Sequence, residues 1–222
     1  MHTSKHQNKP LAPDAADVAA SLPSPARSYK KKIKIIGILA FQGDVIEHAQ
    51  IINKLGHVPI EVRTLQDLSR CQALIIPGGE STTIGFFLEQ TGIGKELIKR
   101  AAKGFPIFGT CAGAIVLAKN IVSNIIPPHL NLLDITIKRN AYGKQIDSFY
   151  ANIPIPQLNI QSLHAAFIRA PIIQKVGSDV EILARHNQEI IMVRSKNIWA
   201  ATFHPELRGE TALHQAFISF CE

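Results

Sequence analysis

The sequence predicts an α/β fold: three layers, with a mostly parallel central sheet flanked by helices and a strand-rich C-terminal elaboration. Three observations carry that expectation. The apolar run over residues 33–41 is too dense for a half-exposed strand and suits one buried on both faces. Strand-like and helical patterns then alternate as far as residue 120, the rhythm of βαβ units. From residue 132 onward the pattern changes to short strands linked by turns, closed by one helical stretch.

Each element has its own signal. Residues 44–55 place Val45, Ala49, Ile52 and Leu55 on one helical face, and Gly56 ends the helix. Residues 58–62 and 73–76 read as strands, and a glycine loop leads from the second into helical segments over 82–103. Residues 106–108 read as a strand running into Gly109-Thr110-Cys111-Ala112-Gly113, followed by a helical stretch over 114–120. Further on, 132–138, 147–153, 161–169, 180–186, 189–194 and 197–202 read as short strands. The turns Pro154-Ile155-Pro156 and Gly177-Ser178-Asp179 lie between them, and a final helix covers 210–220.

Residues 1–32 read as a disordered N-terminal extension, with Pro10, Pro13, Pro23 and Pro25 and no sustained apolar period; residues 33–222 read as one domain. Hydrophobic residues make up 46% of the 222, enough for a sizeable core and against wholesale disorder. The net charge of +7 is concentrated in the extension, where Lys5, Lys9, Arg27, Lys30, Lys31 and Lys32 face only Asp14 and Asp17. The rest has an ordinary balance and no helix-turn-helix, stacking platform or zinc-finger spacing, so no specific nucleic-acid partner is expected. No apolar run approaches the roughly 20 residues of a membrane span. Cys71, Cys111 and Cys221 are too few and irregular for a disulfide framework, and a cytoplasmic setting follows.

The chemistry concentrates in three places. Cys111, flanked by Gly109 and Gly113 after a strand, has the pattern of a nucleophile elbow: a sharp strand-to-helix turn strains the nucleophile and leaves no room for flanking side chains. The following helix start favours thiolate. The strand at 197–202 delivers His204 to the functional edge of a parallel sheet, and Glu206, two residues on, can accept from the imidazole and orient it. The loop Pro77-Gly78-Gly79-Glu80-Ser81 can aim backbone N–H groups into a cleft. Gly79 with the N–H of Ala112 would make an oxyanion hole; a phosphate cradle is the other reading, without the lysine of a P-loop. Cys71 and Cys221 lie outside any elbow and read as packing residues. The histidines show no metal-ligand spacing, so no metal is expected, and His164 reads as structural.

Together these pieces resemble the class I, triad-type glutamine amidotransferases. The series Ala40-Phe41-Gln42-Gly43-Asp44, Pro77-Gly-Gly-Glu-Ser-Thr-Thr83, Phe108-Gly-Thr-Cys-Ala-Gly113, Lys138-Arg139-Asn140-Ala-Tyr-Gly143, Phe167-Ile168-Arg169-Ala170-Pro171 and Phe203-His-Pro-Glu-Leu207 is similar, block by block and in order, to the glutaminase subunits of pyridoxal 5'-phosphate synthases. The likeness extends over residues 33–221, and its departures are the extension and loop changes such as Asp44, where a small residue is frequent.

The resemblance implies Cys111 as nucleophile, His204 as base and then acid, and Glu206 as orienting carboxylate. It implies a glutamine site of Gly79, Glu80, Ser81, Arg139, Ile168 and Arg169. Arg139 or Arg169 can grip the α-carboxylate and Glu80 the α-ammonium group, although without the resemblance a surface salt-bridge partner is the default reading of either arginine. Gln42 and Gly43 fall, in the family, near the oxyanion region and the contact with the synthase subunit. The implied activity is hydrolysis of L-glutamine to glutamate and ammonia without a cofactor, the ammonia passing to a synthase subunit in a large hetero-oligomer. Two alternatives stay open at this point: a glutaminase subunit of the imidazole glycerol phosphate or anthranilate type, and a cysteine-elbow stress protein or peptidase-like module.

Overall fold

The computed structural model describes residues 32–139 and 148–221; the extension before Lys32, residues 140–147 and Glu222 lie outside the described residues. Strand β1 (Ile35–Leu39) is flanked by β2 (Val58–Val62) and β3 (Ala73–Ile76), and β3 by β4 (Ile107–Thr110), all parallel. The last strand in sequence, β12 (Ile198–Ala201), pairs parallel to β4, so the C-terminal segment returns to the middle of the sheet. Residues Leu74 and Ile76 belong to one apolar cluster and Ala73 and Ile75 to the other. This period-two split is what burial on both faces requires of a strand.

Helices cover the two faces. Helices α3 (Ser81–Gln90), α4 (Ile93–Ala101) and α5 (Ala112–Leu117) place Leu88, Leu97 and Val116 in the first cluster. Helices α1 (Val45–Lys54) and α6 (Ala212–Phe220) place Ile52, Leu213 and Phe217 in the second, where Phe108, Trp199 and Phe217 meet at centroid distances of 5.4–6.4 Å. The three-layer expectation is met. No helix of the described residues is long and apolar enough to cross a membrane.

Beyond β12 the sheet changes sense. Strands β11 (Glu189–Ser195), β9 (Ile172–Val176) and β6 (Leu133–Lys138) continue it antiparallel, β10 (Glu181–His186) pairs with β11, and β5 (Ala118–Val122) ends it parallel to β6. A separate hairpin joins β7 (Phe149–Ile155) to β8 (Ile160–Phe167). The sheet is therefore mixed, parallel in its N-terminal half and largely antiparallel beyond it.

Local expectations differ from the structure at a few elements. The helix expected over 114–120 stops at Leu117. Residues 118–122 instead pair with β6 across a register shift, burying Ala118 and Ile121, and this tertiary pairing overrides a weak helical pattern. Strand β9 has no counterpart in the sequence reading, because Gln174 and Lys175 break its apolar signal. Helix α2 (Leu65–Ser69), also unforeseen, is a single turn held by a Thr64–Asp67 capping box.

Candidate active site

Strand β4 delivers the chain to Cys111, which caps α5 with φ +46° and ψ −103°, a conformation a non-glycine residue adopts only under constraint. The constraint is visible on both sides. A Cβ at Gly113 would lie 2.0 Å from the Ile76 carbonyl oxygen, and one at Gly109 2.6 Å from the Gly113 carbonyl group and from Leu117. The Cys111 N–H donates to the Ala201 carbonyl of β12 at 2.8 Å, fixing the elbow to the neighbouring strand. The thiol is buried, with the Ile168 carbonyl oxygen 3.9 Å from Sγ.

His204 stands three residues beyond β12. Its N–H donates to the Ala166 carbonyl of β8 at 2.8 Å, an isolated bridge that holds the chain straight past the end of the strand. Its Nδ1 lies 2.8 Å from Glu206 Oε1 and 3.0 Å from Asp44 Oδ2. Burial works against the charged imidazole, but hydrogen bonds with Asp44, Cys111 and Glu206 outweigh it and push His204 up to about 12. Burial raises the Glu206 carboxyl, with the His204 hydrogen bond opposing it; the His204 hydrogen bond holds Asp44 below the usual carboxylate value.

Behind Glu206 lies a layer that sequence reasoning missed. Glu206 Oε2 faces His48 Nε2 at 3.5 Å, too long for a well-formed hydrogen bond. His48 Nε2 is also 3.3 Å from Thr110 Oγ1, and its Nδ1 is 2.8 Å from His214 Nε2. Two tautomer patterns satisfy these distances, and in the one that also aims a proton at Glu206, His214 Nε2–H donates to His48 Nδ1 and His48 Nε2–H points to Thr110 and Glu206. His214 Nδ1 is then an acceptor, buried without a hydrogen-bond partner among the described residues. Burial lowers both rings, His48 well below 6.5 and His214 to about 3. The signal was present: His48 and His214 interrupt the inward faces of two apolar helices, and Asp44 sits one helical turn before His48.

The expected glutamine residues gather at the start of α3. Glu80 caps that helix through Thr83 N and pairs through Oε1 with an Arg139 guanidinium nitrogen at 2.9 Å, while Arg139 also donates to the Ile125 carbonyl. The anion and cation assigned to glutamine's two charged groups thus stand side by side. Ser81 is buried in the first turn of α3. Ile168 and Arg169 follow β8 on the exposed side of the elbow, and Arg169 takes a positive φ of 47°.

The Gln42-Gly43 turn closes on this loop. Gln42 Oε1 accepts from Glu80 N–H at 2.7 Å, and a Cβ at Gly43 would meet the Gly78 carbonyl oxygen at 1.6 Å. Gly79, at φ +145°, lies against Gln42 and Gly43, and Ala112 supplies the first N–H of α5. Residues 140–147 of the basic block lie outside the described residues. His164 pairs with Glu210 at 3.0 Å, and burial pushes the Cys71 and Cys221 thiols up to about 11 and about 12, so none of the three belongs to this site. Asp44, His204 and Glu206 offer three possible metal-ligand atoms within 4.8 Å of one another, but at separations that a proton on Nδ1 already bridges.

Comparison with known proteins places the chain in a family. The chain is 48% identical over 189 residues to the "Pyridoxal 5'-phosphate synthase subunit PdxT" of Caldicellulosiruptor saccharolyticus, covering 84% of this chain and 97% of that protein. It is 43% identical to a glutamine amidotransferase of known crystal structure, with a TM-score of 0.80 over 84% of this chain and 98% of the other. PurLQS from Thermotoga maritima shares the fold at 18% identity, with a TM-score of 0.62 over 86% of this chain and all of that one. Residues 38–222 match the SNO glutamine amidotransferase family, and the chain belongs to it.

Proposed function

We propose that this chain is the glutaminase subunit of a pyridoxal 5'-phosphate synthase, hydrolysing L-glutamine to glutamate and ammonia. The observation that carries this reading is the convergence of Cys111, strained at its elbow, with His204 held at 2.8 Å by the buried Glu206. The name carried by relatives such as that of Caldicellulosiruptor saccharolyticus supports the same assignment. It also favours this synthase over the imidazole glycerol phosphate and anthranilate acceptors.

The high proton affinity of His204 favours an imidazolium beside a Cys111 thiolate. The thiolate adds to the side-chain amide carbon, and the N–H groups of Gly79 and Ala112 take the charge developing on its oxygen. The C–N bond breaks as His204 gives its proton to the leaving nitrogen, releasing ammonia and leaving a thioester. Neutral His204 then accepts a proton from water, which attacks the thioester; the tetrahedral adduct expels the Cys111 thiolate, giving glutamate and returning the thiolate–imidazolium pair. The adjacent Glu80–Arg139 charges are complementary to the α-ammonium and α-carboxylate groups that glutamine carries on one carbon. Gly79, Ser81, Ile168 and Arg169 complete that subsite.

Ammonia released into water is protonated and lost as a nucleophile, so a docked acceptor follows: a synthase subunit that builds pyridoxal 5'-phosphate from ribose 5-phosphate and glyceraldehyde 3-phosphate, meeting this chain at Gln42 and Gly43. The assembly is a cytoplasmic hetero-oligomer. Glutamate release, measured with and without the cognate synthase, tests the reading. Release by the wild type that rises with the synthase and vanishes in Cys111→Ala is expected; release indifferent to the synthase removes the partner, and release by Cys111→Ala removes the nucleophile.

A further inference from the structure

Asp44 occupies the N-cap position of α1, where an aspartate ordinarily accepts a hydrogen bond from the backbone of the first turn. Here its side chain makes no capping hydrogen bond. The carboxylate turns away from the helix instead, to lie 3.0 Å from His204 Nδ1, the same nitrogen that Glu206 approaches at 2.8 Å. The loop above is shaped to this pair. A Cβ at Gly78 would fall 2.2 Å from His204 Cε1 and 2.9 Å from Asp44 Oδ2, so the backbone there covers imidazole and carboxylate together.

We propose that Asp44 is a second positioning carboxylate for His204, sharing its Nδ1–H with Glu206 and tying the Gln42-Gly43 turn mechanically to the catalytic histidine. The two carboxylates differ in kind. Glu206 is buried and reaches His204 from the same stretch of chain two residues away, whereas the Asp44 side chain is 30% exposed and arrives from the turn between β1 and α1. That turn is held to the glutamine loop by the Gln42–Glu80 hydrogen bond and by the Gly43–Gly78 contact. Any displacement of Gln42 and Gly43 therefore changes how many carboxylates the Nδ1 proton serves. The titratable groups that face His204 are Asp44, Cys111 from the elbow, Glu206, and His48 from α1, which burial keeps neutral. Of the two carboxylates, only Asp44 sits where a docked protein can reach it. This last consequence rests on the partner reading above; the Asp44–His204 coupling does not.

The test is a titration of His204 by NMR on the full chain, ¹⁵N-labelled at histidine, with the resonance assigned through His204→Asn. The variant Asp44→Asn keeps side-chain size and helix-start preference while removing the charge. In the wild type His204 stays imidazolium through the alkaline range in which the protein is folded. In Asp44→Asn its titration drops by ~1–3 units, the effect of removing one adjacent opposite charge. The alkaline limb of kcat/KM for glutamine falls with it, while KM itself stays put. An imidazolium that persists equally in both proteins overturns the proposal. The titration needs no substrate: if even the wild type with its synthase releases no glutamate, the glutaminase reading fails while the NMR shift still decides the role of Asp44.

Discussion

Two buried histidine sites flank one carboxylate in this molecule, and they have opposite electrostatics. His204 meets Glu206 Oε1 at 2.8 Å and Asp44 at 3.0 Å and holds its proton up to about 12. His48 faces Glu206 Oε2 at 3.5 Å, its partner His214 is hydrogen-bonded to the His48 imidazole, and both are neutral, with His214 driven down to about 3. Burial penalises the charged ring in both places. A carboxylate at true hydrogen-bond distance reverses that penalty, and one a few tenths of an ångström too far does not. The protein thus separates a histidine that reacts, held by Asp44, Cys111 and Glu206 Oε1, from a pair that Glu206 Oε2 approaches only to 3.5 Å.

Removing the charge from that side chain tests the comparison most severely. Glu206→Gln is expected to lower kcat by roughly 10²–10⁴-fold, the range spanned by acid–base catalysis and by neutralising a triad carboxylate. His204 should titrate at lower pH in this variant, without falling to the values of His48 and His214, because Asp44 remains. Steady-state glutamate release with saturating synthase reads the first effect and the His204 resonance the second. A variant with full kcat would show that Asp44 alone orients the ring.

The same contrast is legible in stability against pH. Below the ordinary imidazole value of 6.5 the unfolded chain protonates His48 and His214 while the folded chain does not. Their contribution is present above 6.5 and lost as pH falls through each ring's lowered value, which for His214 is about 3, at about 1.4 kcal/mol per pH unit for each ring. The raised His204 has the opposite sign: its stabilisation is complete below 6.5 and is lost as pH rises towards about 12. Stability from these three rings therefore peaks near pH 6.5. His214→Gln, whose amide can still donate to His48 Nδ1, should halve the two rings' share of the slope between pH 6.5 and ~5, above the range where ordinary carboxylates titrate. Urea unfolding at a series of pH values measures it, and an unchanged slope would mean that the pair is not neutral in the folded state.

How much of this the sequence carried depends on whether a feature is local. The elbow was legible because its glycines and cysteine are adjacent and the steric demand is local; Gly109 and Gly113 do meet backbone where a Cβ would stand. Glu206 was legible because it orients His204 from two residues away. Strands β2 and β3 were legible to the residue from their apolar runs. In the sequence Asp44 shows as a helix start and a loop departure and nothing more, because its partner lies 160 positions away and no local pattern announces a side chain that forgoes its own helix cap. His48 and His214 are 166 positions apart and declare themselves only when α1 and α6 are placed on the same face. Strands β5 and β9 escaped for a related reason: their identity comes from the antiparallel extension they join, and residues 118–122 alone look as helical as extended.

The smallest effect belongs to Thr110, whose hydroxyl sits 3.3 Å from His48 Nε2 at the end of β4, one residue before the nucleophile. Thr110→Val keeps shape and burial while removing one acceptor. If His48 Nε2–H is shared between Thr110 and Glu206, its loss leaves the proton to Glu206 Oε2 alone. Stability should then fall by ~1 kcal/mol, the net contribution of an ordinary hydrogen bond. The slope below pH 6.5 should persist, because both rings remain neutral and buried, and kcat should change by only a few-fold since Glu206 Oε1 still meets His204. Were His48 the opposite tautomer, with Nε2 accepting from the Thr110 hydroxyl, the valine would leave an unsatisfied Nε2 lone pair facing the Glu206 carboxylate. The two negative ends would repel, the Glu206–His204 contact would loosen, and kcat would fall alongside stability. Stability and turnover measured on one variant therefore distinguish the tautomers, and with them whether the neutral pair supports the triad through a donated proton or by packing alone.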